Sequence, residues 1–270
     1  MKKLISVLLT AVVVMTTFTA CSNNSTDDKV IKVGASVTPH AEILAVAKDI
    51  LAQEGYTLDI IEFNDYILPN TATESGELDA NYFQHQPYLD NFNKENGTHL
   101  VTIADLHYEL FALYPGKTKS LEELQDGAII AVPNDGTNEA RALALLESQG
   151  LITLKPNAGL TATILDIESN PRNFVIQELD AALLALSLED VDMAVINGNY
   201  AMQAGLKANT DAVALEDKES DLAKTFRNVL VVKEGNENNA AIQALKKAVT
   251  SDKVREAMET RYNGIVIPMF

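Results

Sequence analysis

Apolar and polar positions alternate from residue 30 to residue 36, with Ile31, Val33 and Ala35 on one side of an extended chain. That period of two predicts a strand over Val30–Ser36. The period then changes. After Pro39, Ile43, Leu44, Ala47, Ile50 and Leu51 recur at helical spacing, and Gly55 ends the run, so a helix is expected here. Thr57–Phe63 reads as the next strand. Strand, helix and strand within about 30 residues make a βαβ start and favour a parallel sheet in an α/β fold.

The same succession returns further on: a strand at 128–132, a helix at 137–148 closed by Gly150, and a strand at 191–196 with a helix behind it. No repeat of fixed period accompanies it. Two such regions predict two lobes. Crossings are expected near 112–119, where Pro115-Gly116 punctuates the chain, and near 226–232, a strand that returns to the first lobe. The tail carries Ile242, Leu245, Ala248 and Val249 on one helical face, which would pack on that lobe. The expected boundaries put 30–113 and 229–270 in lobe one and 114–228 in lobe two. A chain that leaves a lobe, builds another and comes back has two hinges and a cleft, the architecture of a binding protein that closes on its ligand.

The first thirty residues follow another logic. Lys2-Lys3, an apolar run from Leu4 to Phe18, and Thr19-Ala20 before Cys21 form a secretory signal over residues 1–20. The run is too short for a membrane span. Cys21, the single cysteine, stands where a bacterial lipoprotein signal places its lipidated residue, although Phe18 departs from the usual aliphatic residue three positions ahead. Residues 21–29 are polar and read as a flexible tether. The chain is therefore expected outside the cytoplasm, lipid-anchored to a membrane, with no internal disulfide. Its formal charge of −17 becomes −19 once Lys2 and Lys3 leave with the signal. Such an acidic chain is repelled by phosphate backbones and anionic head groups, which argues against nucleic acid as a partner.

Three stretches carry candidate chemistry. Asp79 to Leu89 (Asp-Ala-Asn-Tyr-Phe-Gln-His-Gln-Pro-Tyr-Leu) mixes aromatics, amides and a histidine at a strand-to-helix junction. Flat apolar walls with a few polar groups suit an amphiphilic small ligand, and the same residues suit a core with a satisfied structural histidine. Val132 to Arg141 runs from a strand end through a Gly-containing turn to a helix that Thr137 or Asn138 would cap. The free N–H groups of that helix start form an anion site, and Arg141 one turn in adds a grip on a planar carboxylate. The loop has no Lys-Ser/Thr pair and is no phosphate loop. Ile196 to Tyr200 again follows a strand, where clefts of α/β sheets open. Asn199 and, from the return strand, Asn228 can accept a hydrogen bond from an ammonium group.

These stretches, with Thr38 to Leu44, Asp65-Tyr66 and Pro69-Asn70, resemble in order and content the methionine-binding lipoproteins of the NlpA type that feed methionine ABC importers. The resemblance implies a two-lobed periplasmic-binding-protein fold, type II-like, that clasps free methionine and hands it to a permease with its ATPase. It assigns the α-carboxylate to Arg141, the surroundings of the α-amino group to Asn199 and Asn228, and the aromatic wall around the thioether to Tyr66, Phe83 and His85. It implies no catalysis, cofactor or metal. The segment Leu106 to Pro115 departs from the family pattern, which leaves another amino acid or a methionine-containing peptide as alternative cargo, with His107 as a further pocket residue.

Two other classes remain. A metal-capturing lipoprotein would use His40, His85 and His107 with a carboxylate. An enzyme would pair His85 with Asp79 or Asp65 as acid and base. The chain carries no Gly-x-Ser-x-Gly elbow and no His-Glu-x-x-His helix to support either.

Overall fold

A computed structural model describes residues 29–270. The signal peptide, Cys21 and most of the tether lie outside the described residues. The first strand, β1 (Val30–Ser36), and the second, β2 (Thr57–Phe63), have the expected bounds, with α1 (Glu42–Gln53) between them. The helix starts three residues after Pro39, because a wide π-type turn over Val37–Ala41 intervenes. α2 (Leu68–Ser75), β3 (Ala80–His85), α3 (Gln86–Asn96) and β4 (Leu100–Glu109) follow.

The chain then changes sheet. β5 (Ala112–Pro115), β6 (Ile129–Pro133), α4 (Gly136–Ser148), β9 (Val175–Leu179), β10 (Met193–Ile196), α5 (Gly198–Gln203) and β11 (Ala214–Leu215) build the second body, beside a small β7–β8 ribbon (Thr153–Leu154, Ile167–Ser169). Two short helices, α6 (Ala208–Asp211) and α7 (Asp221–Thr225), lead to β12 (Asn228–Lys233), which rejoins the first sheet. α8 (Ala240–Val249), α9 (Asp252–Tyr262) and β13 (Val266–Pro268) finish on the same side.

The two sheets repeat one design. The first runs β2-β1-β3-β12-β4 with β13 added at its edge, and the second runs β9-β6-β10-β5-β11. In both, three parallel strands meet an antiparallel strand delivered from the other body: β12 in the first and β5 in the second. This is the two-lobed substrate-binding architecture of the second type. The outward crossing lies between Glu109 and Ala112, so β5 belongs wholly to the second sheet and the sequence boundary after residue 113 falls too late. The return reaches the first sheet at Asn228, one residue ahead of the expected boundary.

Each lobe has its own core. In the first, Ile31, Val33 and Ala35 of β1 pack with Leu44, Ala47 and Leu51 of α1 and with Ile242, Leu245 and Val249 of α8, all at most 2% exposed. Full burial of each such leucine, isoleucine or valine contributes about 1.5–3 kcal/mol. The amphipathic tail thus serves the lobe its chain left long before. In the second, Ile130 and Val132 of β6 meet Leu143 and Leu146 of α4 and Val195 of β10.

β3 is buried on both faces, and its polar side chains have divided tasks. Asn81 and Gln84 form a closed network with Asn70 and Thr73 of α2: Gln84 Nε2 donates to Asn70 Oδ1 at 2.6 Å, and Asn81 Nδ2 donates to Thr73 Oγ1 at 2.8 Å. Such full satisfaction removes the penalty of burying amides. The network fixes α2 on the sheet and leaves Phe83 and His85 for the cleft.

Candidate functional site

The C-terminal end of β3, the starts of α3 and α4, the end of β4 and the β10–α5 junction converge between the sheets, as strand ends do in open α/β folds. They surround about 350 Å³ of space, part of it open to solvent, lined by Tyr66, Phe83, Gln84, His85, Tyr88, Glu109, Asn138, Arg141, Asn197, Gly198, Asn199 and Asn228. All six binding residues expected from the sequence, Tyr66, Phe83, His85, Arg141, Asn199 and Asn228, line this one cavity.

One wall is aromatic. Tyr66 stands 5.9 Å from Phe83 and 5.7 Å from Tyr88 between ring centres, and Tyr200 packs behind it at 5.1 Å. The Tyr66 hydroxyl donates to Asn199 Oδ1 at 2.6 Å across the lobes. Burial pushes its pKa well above the usual tyrosine value, so it stays a neutral donor. His85 N-caps α3, its Nδ1 accepting from the Tyr88 N–H at 3.1 Å. Its other nitrogen, Nε2, therefore carries the proton and donates to Asn138 Oδ1 at 3.0 Å, a second bond between the lobes. Burial first, then the Arg141 charge, lowers the His85 pKa to about 3. Outside the cavity, the Tyr200 hydroxyl on Asn64 O at 3.1 Å adds a third bridge, so the lobes are closed on each other.

The cationic end is Arg141, 4% exposed. Phe111 and Phe226 each lie 4.4 Å from its guanidinium carbon. Glu216 engages it sideways, with Nη2–Oε2 at 2.6 Å and Nε–Oε1 at 3.0 Å, and Tyr108 donates to Glu216 in turn. Burial works against the charge, but Glu216 holds the Arg141 pKa above its ordinary value. Nη1 has no partner among the described residues and is the free edge of the fork.

The start of α4 differs from the sequence expectation. Asp135, not Thr137 or Asn138, caps the helix, its Oδ1 accepting from the Asn138 N–H at 3.0 Å. The Asn138 side chain donates to both Asp135 oxygens at 2.9 Å. A carboxylate of the chain itself thus fills the anion site read there, and the grip on an anion falls to Arg141 alone. The asparagines are also more committed than expected. Asn199 Oδ1 accepts from Tyr66, and Asn228 Oδ1 accepts from His40 Nε2 at 3.0 Å.

The carboxylate that faces the cavity is Glu109, the last residue of β4, which the sequence reading did not select. Burial raises its pKa, while His40, Arg141 and the Asn199 backbone N–H work to keep it ionised. A local signal existed: an acid inside the apolar run Leu106 to Ala112 must have partners, because unpaired buried charge is expensive. Tyr88 and Asn138 lay inside the selected stretches. Glu216, in a run of exposed acids and a lysine, carried no local signal. The altered Leu106 to Pro115 segment turns out to hold the crossing and two of the three rings around Arg141, Tyr108 and Phe111.

The alternative constellations come apart. Asp65 Oδ1 caps the start of α2 and Asp79 accepts from the Lys32 N–H, so neither reaches His85. Among the described residues, His40, His107 and Glu109 have donor atoms within 4.8 Å of one another, close enough to share a metal ion. His85 is not of that group. His107 sits behind the cavity rather than in it.

The family model for NlpA lipoprotein matches residues 31–270. The chain belongs to the NlpA lipoprotein family. It is 43% identical over 248 residues to the D-methionine-binding lipoprotein MetQ of Escherichia coli (strain K12), covering 90% of each chain. Among solved structures, a lipoprotein from Ruminococcus gnavus is 56% identical with a TM-score of 0.88, over 90% of this chain and all of that one. A nutrient-binding protein from Burkholderia cenocepacia, solved with methionine bound, is 43% identical with a TM-score of 0.84, over 89% of this chain and 100% of that chain. A periplasmic substrate-binding protein of an ABC transporter from Coxiella burnetii is 41% identical with a TM-score of 0.82, over 88% of this chain and 100% of that chain.

Proposed function

We propose that this protein is the receptor of an amino-acid ABC importer: anchored through lipid on Cys21 at the extracytoplasmic face of the membrane, it closes its lobes on free methionine and delivers it to a permease with its ATPase. One observation carries the reading. One cavity between the lobes offers a guanidinium edge, a carboxylate and an aromatic wall, the three surfaces that a zwitterion with an apolar side chain needs. Arg141 takes the α-carboxylate through its free Nη1 edge. Glu109 takes the ammonium group, assisted by the remaining lone pair of Asn199. Asn228, whose oxygen already serves His40, turns its amide nitrogen to the ligand. Tyr66, Phe83 and Tyr88 enclose the thioether, where sulfur–aromatic contact adds about 0.3–1.5 kcal/mol to simple burial.

Ligand favours the closed form because only there do both lobes touch it. The role is capture and delivery, in line with the periplasmic substrate-binding protein of an ABC transporter that the chain resembles.

The test uses the domain without its signal and Cys21, unfolded to strip carried ligand and refolded. Thermal unfolding is followed with each amino acid added singly, in both hands for methionine. A ligand at about 100 times its Kd stabilises the native state by about 2.7 kcal/mol. A shift with methionine and none with the others is the expected result. A shift with a different amino acid reassigns the cargo, and consumption of methionine during incubation would refute the receptor role.

A further inference from the structure

Three polar side chains behind the cavity have no part in the roles above. His40, Tyr82 and His107 are at most 1% exposed, and burying such groups is costly unless their bonds are made. They gather around one oxygen, Oε1 of Glu109. His107 Nε2 lies 2.8 Å from Glu109 Oε1 and His40 Nε2 lies 3.3 Å from the same oxygen. The tautomers follow from the partners. The Tyr82 hydroxyl donates to His107 Nδ1, which leaves the His107 proton on Nε2. His40 Nε2 faces two acceptors, Glu109 Oε1 and Asn228 Oδ1, so it too carries the proton, and His40 Nδ1 is left without a partner. Edge-on packing of His40 against Tyr82 at 4.6 Å and His107 at 5.0 Å holds the rings in place. Glu109 Oε2 is left on the side of the second lobe, so close to Gly198 that a Cβ there would lie 2.7 Å away.

We propose that His40 and His107 are positioning residues for ligand binding: the neutral His107 donates to Oε1 of Glu109, His40 packs against that same oxygen while its proton holds Asn228, and together they aim Oε2 at the ligand's ammonium group. This rests on the amino-acid reading above. The pair makes the α-amino group a requirement of the site, because without an ammonium partner the oriented carboxylate stays buried and uncompensated. Neutrality is part of the design, since a protonated imidazole would supply the countercharge itself. The charged and titratable groups facing the pair are Glu109, Tyr82 and each other, with Arg141 beyond Glu109; burial lowers the pKa to about 4 for His40 and about 3 for His107. Asn228, held by the same His40 proton, is fixed by the same device.

The test compares methionine with its des-amino analogue by calorimetry, in the wild type, His107→Gln, His107→Leu and His40→Gln. His107→Leu is expected to weaken methionine by roughly tenfold or more, the worth of a charge-assisted bond, and the analogue by under about twofold. His107→Gln, which keeps an N–H donor, should recover most of the loss. Equal weakening of both ligands would mean a merely structural role and overturns the proposal. Ring-nitrogen NMR of the ligand-free wild type supplies a reading independent of cargo and of any variant's folding. Both rings are expected as neutral Nε2–H tautomers near neutral pH, and an Nδ1–H or cationic form of either one overturns the proposal. A zinc-induced stabilisation of the wild type that His107→Gln abolishes would overturn it in favour of a metal site. Absence of methionine binding in the wild type with the tautomers as expected would instead refute the cargo reading alone.

Discussion

Replacing Arg141 by methionine separates its two duties. The unbranched thioether chain, shorter than arginine's, still fills most of the space between Phe111 and Phe226, each 4.4 Å from the guanidinium, so the packing loss is modest. Two buried carboxylates then lose their partner. Glu216, with a side chain 7% exposed, loses its three bonds to Arg141, and breaking a buried pair from one side destabilises by about 3–5 kcal/mol. The ligand's carboxylate loses its charge-assisted bond, which costs about 2–4 kcal/mol of binding, or roughly 30-fold to 1,000-fold in Kd. Adding Glu216→Gln removes the stranded charge while keeping an acceptor for Tyr108. Urea unfolding without ligand should therefore show a large loss in Arg141→Met and recovery of most of it in the double variant. Calorimetry with methionine should show the binding loss persisting in both. Glu216→Gln alone should bind at least as well as the wild type, because the cation is less neutralised. A double variant that binds methionine like the wild type would refute the carboxylate assignment. A single variant as stable as the wild type would refute the pairing.

Phe83→Ala should weaken methionine by about 1–3 kcal/mol and alanine by much less, since only the longer side chain reaches that wall; equal losses by calorimetry would count against it. Gly198→Ala puts a Cβ 2.7 Å from Glu109 Oε2 and 3.1 Å from the Leu110 carbonyl, so the lobes should fail to close fully. Weaker binding and no ligand-induced fall in the radius of gyration by small-angle scattering are expected, and an unchanged Kd would show that the contact yields. Acid should destabilise the fold through His85, whose pKa burial lowers from the ordinary 6.5 to about 3. Its contribution is complete above pH 6.5 and is lost as pH falls towards 3, at about 1.4 kcal/mol per pH unit. His85→Gln should then lose about 2 kcal/mol less than the wild type between neutral pH and about pH 5, by urea unfolding; an identical loss would place the proton elsewhere.

The elements legible in the sequence are those whose pattern is local. Ile31, Val33 and Ala35 alternate because one face of β1 is covered, and Leu44, Ala47 and Leu51 recur because one face of α1 is. Gly55 ended the helix for a backbone reason: its φ of +84° suits glycine. The turn over Val37–Ala41 and the Asp135 cap depend on geometry that residue type alone leaves open, and both were missed. The crossing was placed too late for a similar reason. Pro115-Gly116 is a visible break, but β5 continues to Pro115, because its partner β10 pairs with it from Pro115 back to Ala112.

For the site, the sequence by itself determined which stretches supply it and the residue types at its two ends: a cation at Arg141 and aromatics at Tyr66 and Phe83, each beside a strand end or helix start. Membership of the family followed from the same stretches. Tertiary structure decided how those residues are engaged. The partners of Arg141 and Asn228 come from 75 and 188 residues away, and Glu109 joins His107, two residues along its strand, to Arg141 and Asn199 of the neighbouring lobe. Local pattern encodes burial and backbone preference, which act over a few residues. Charge pairing and amide orientation act over a few ångströms of space, and only the folded chain brings Glu216 to Arg141 and His40 to Asn228.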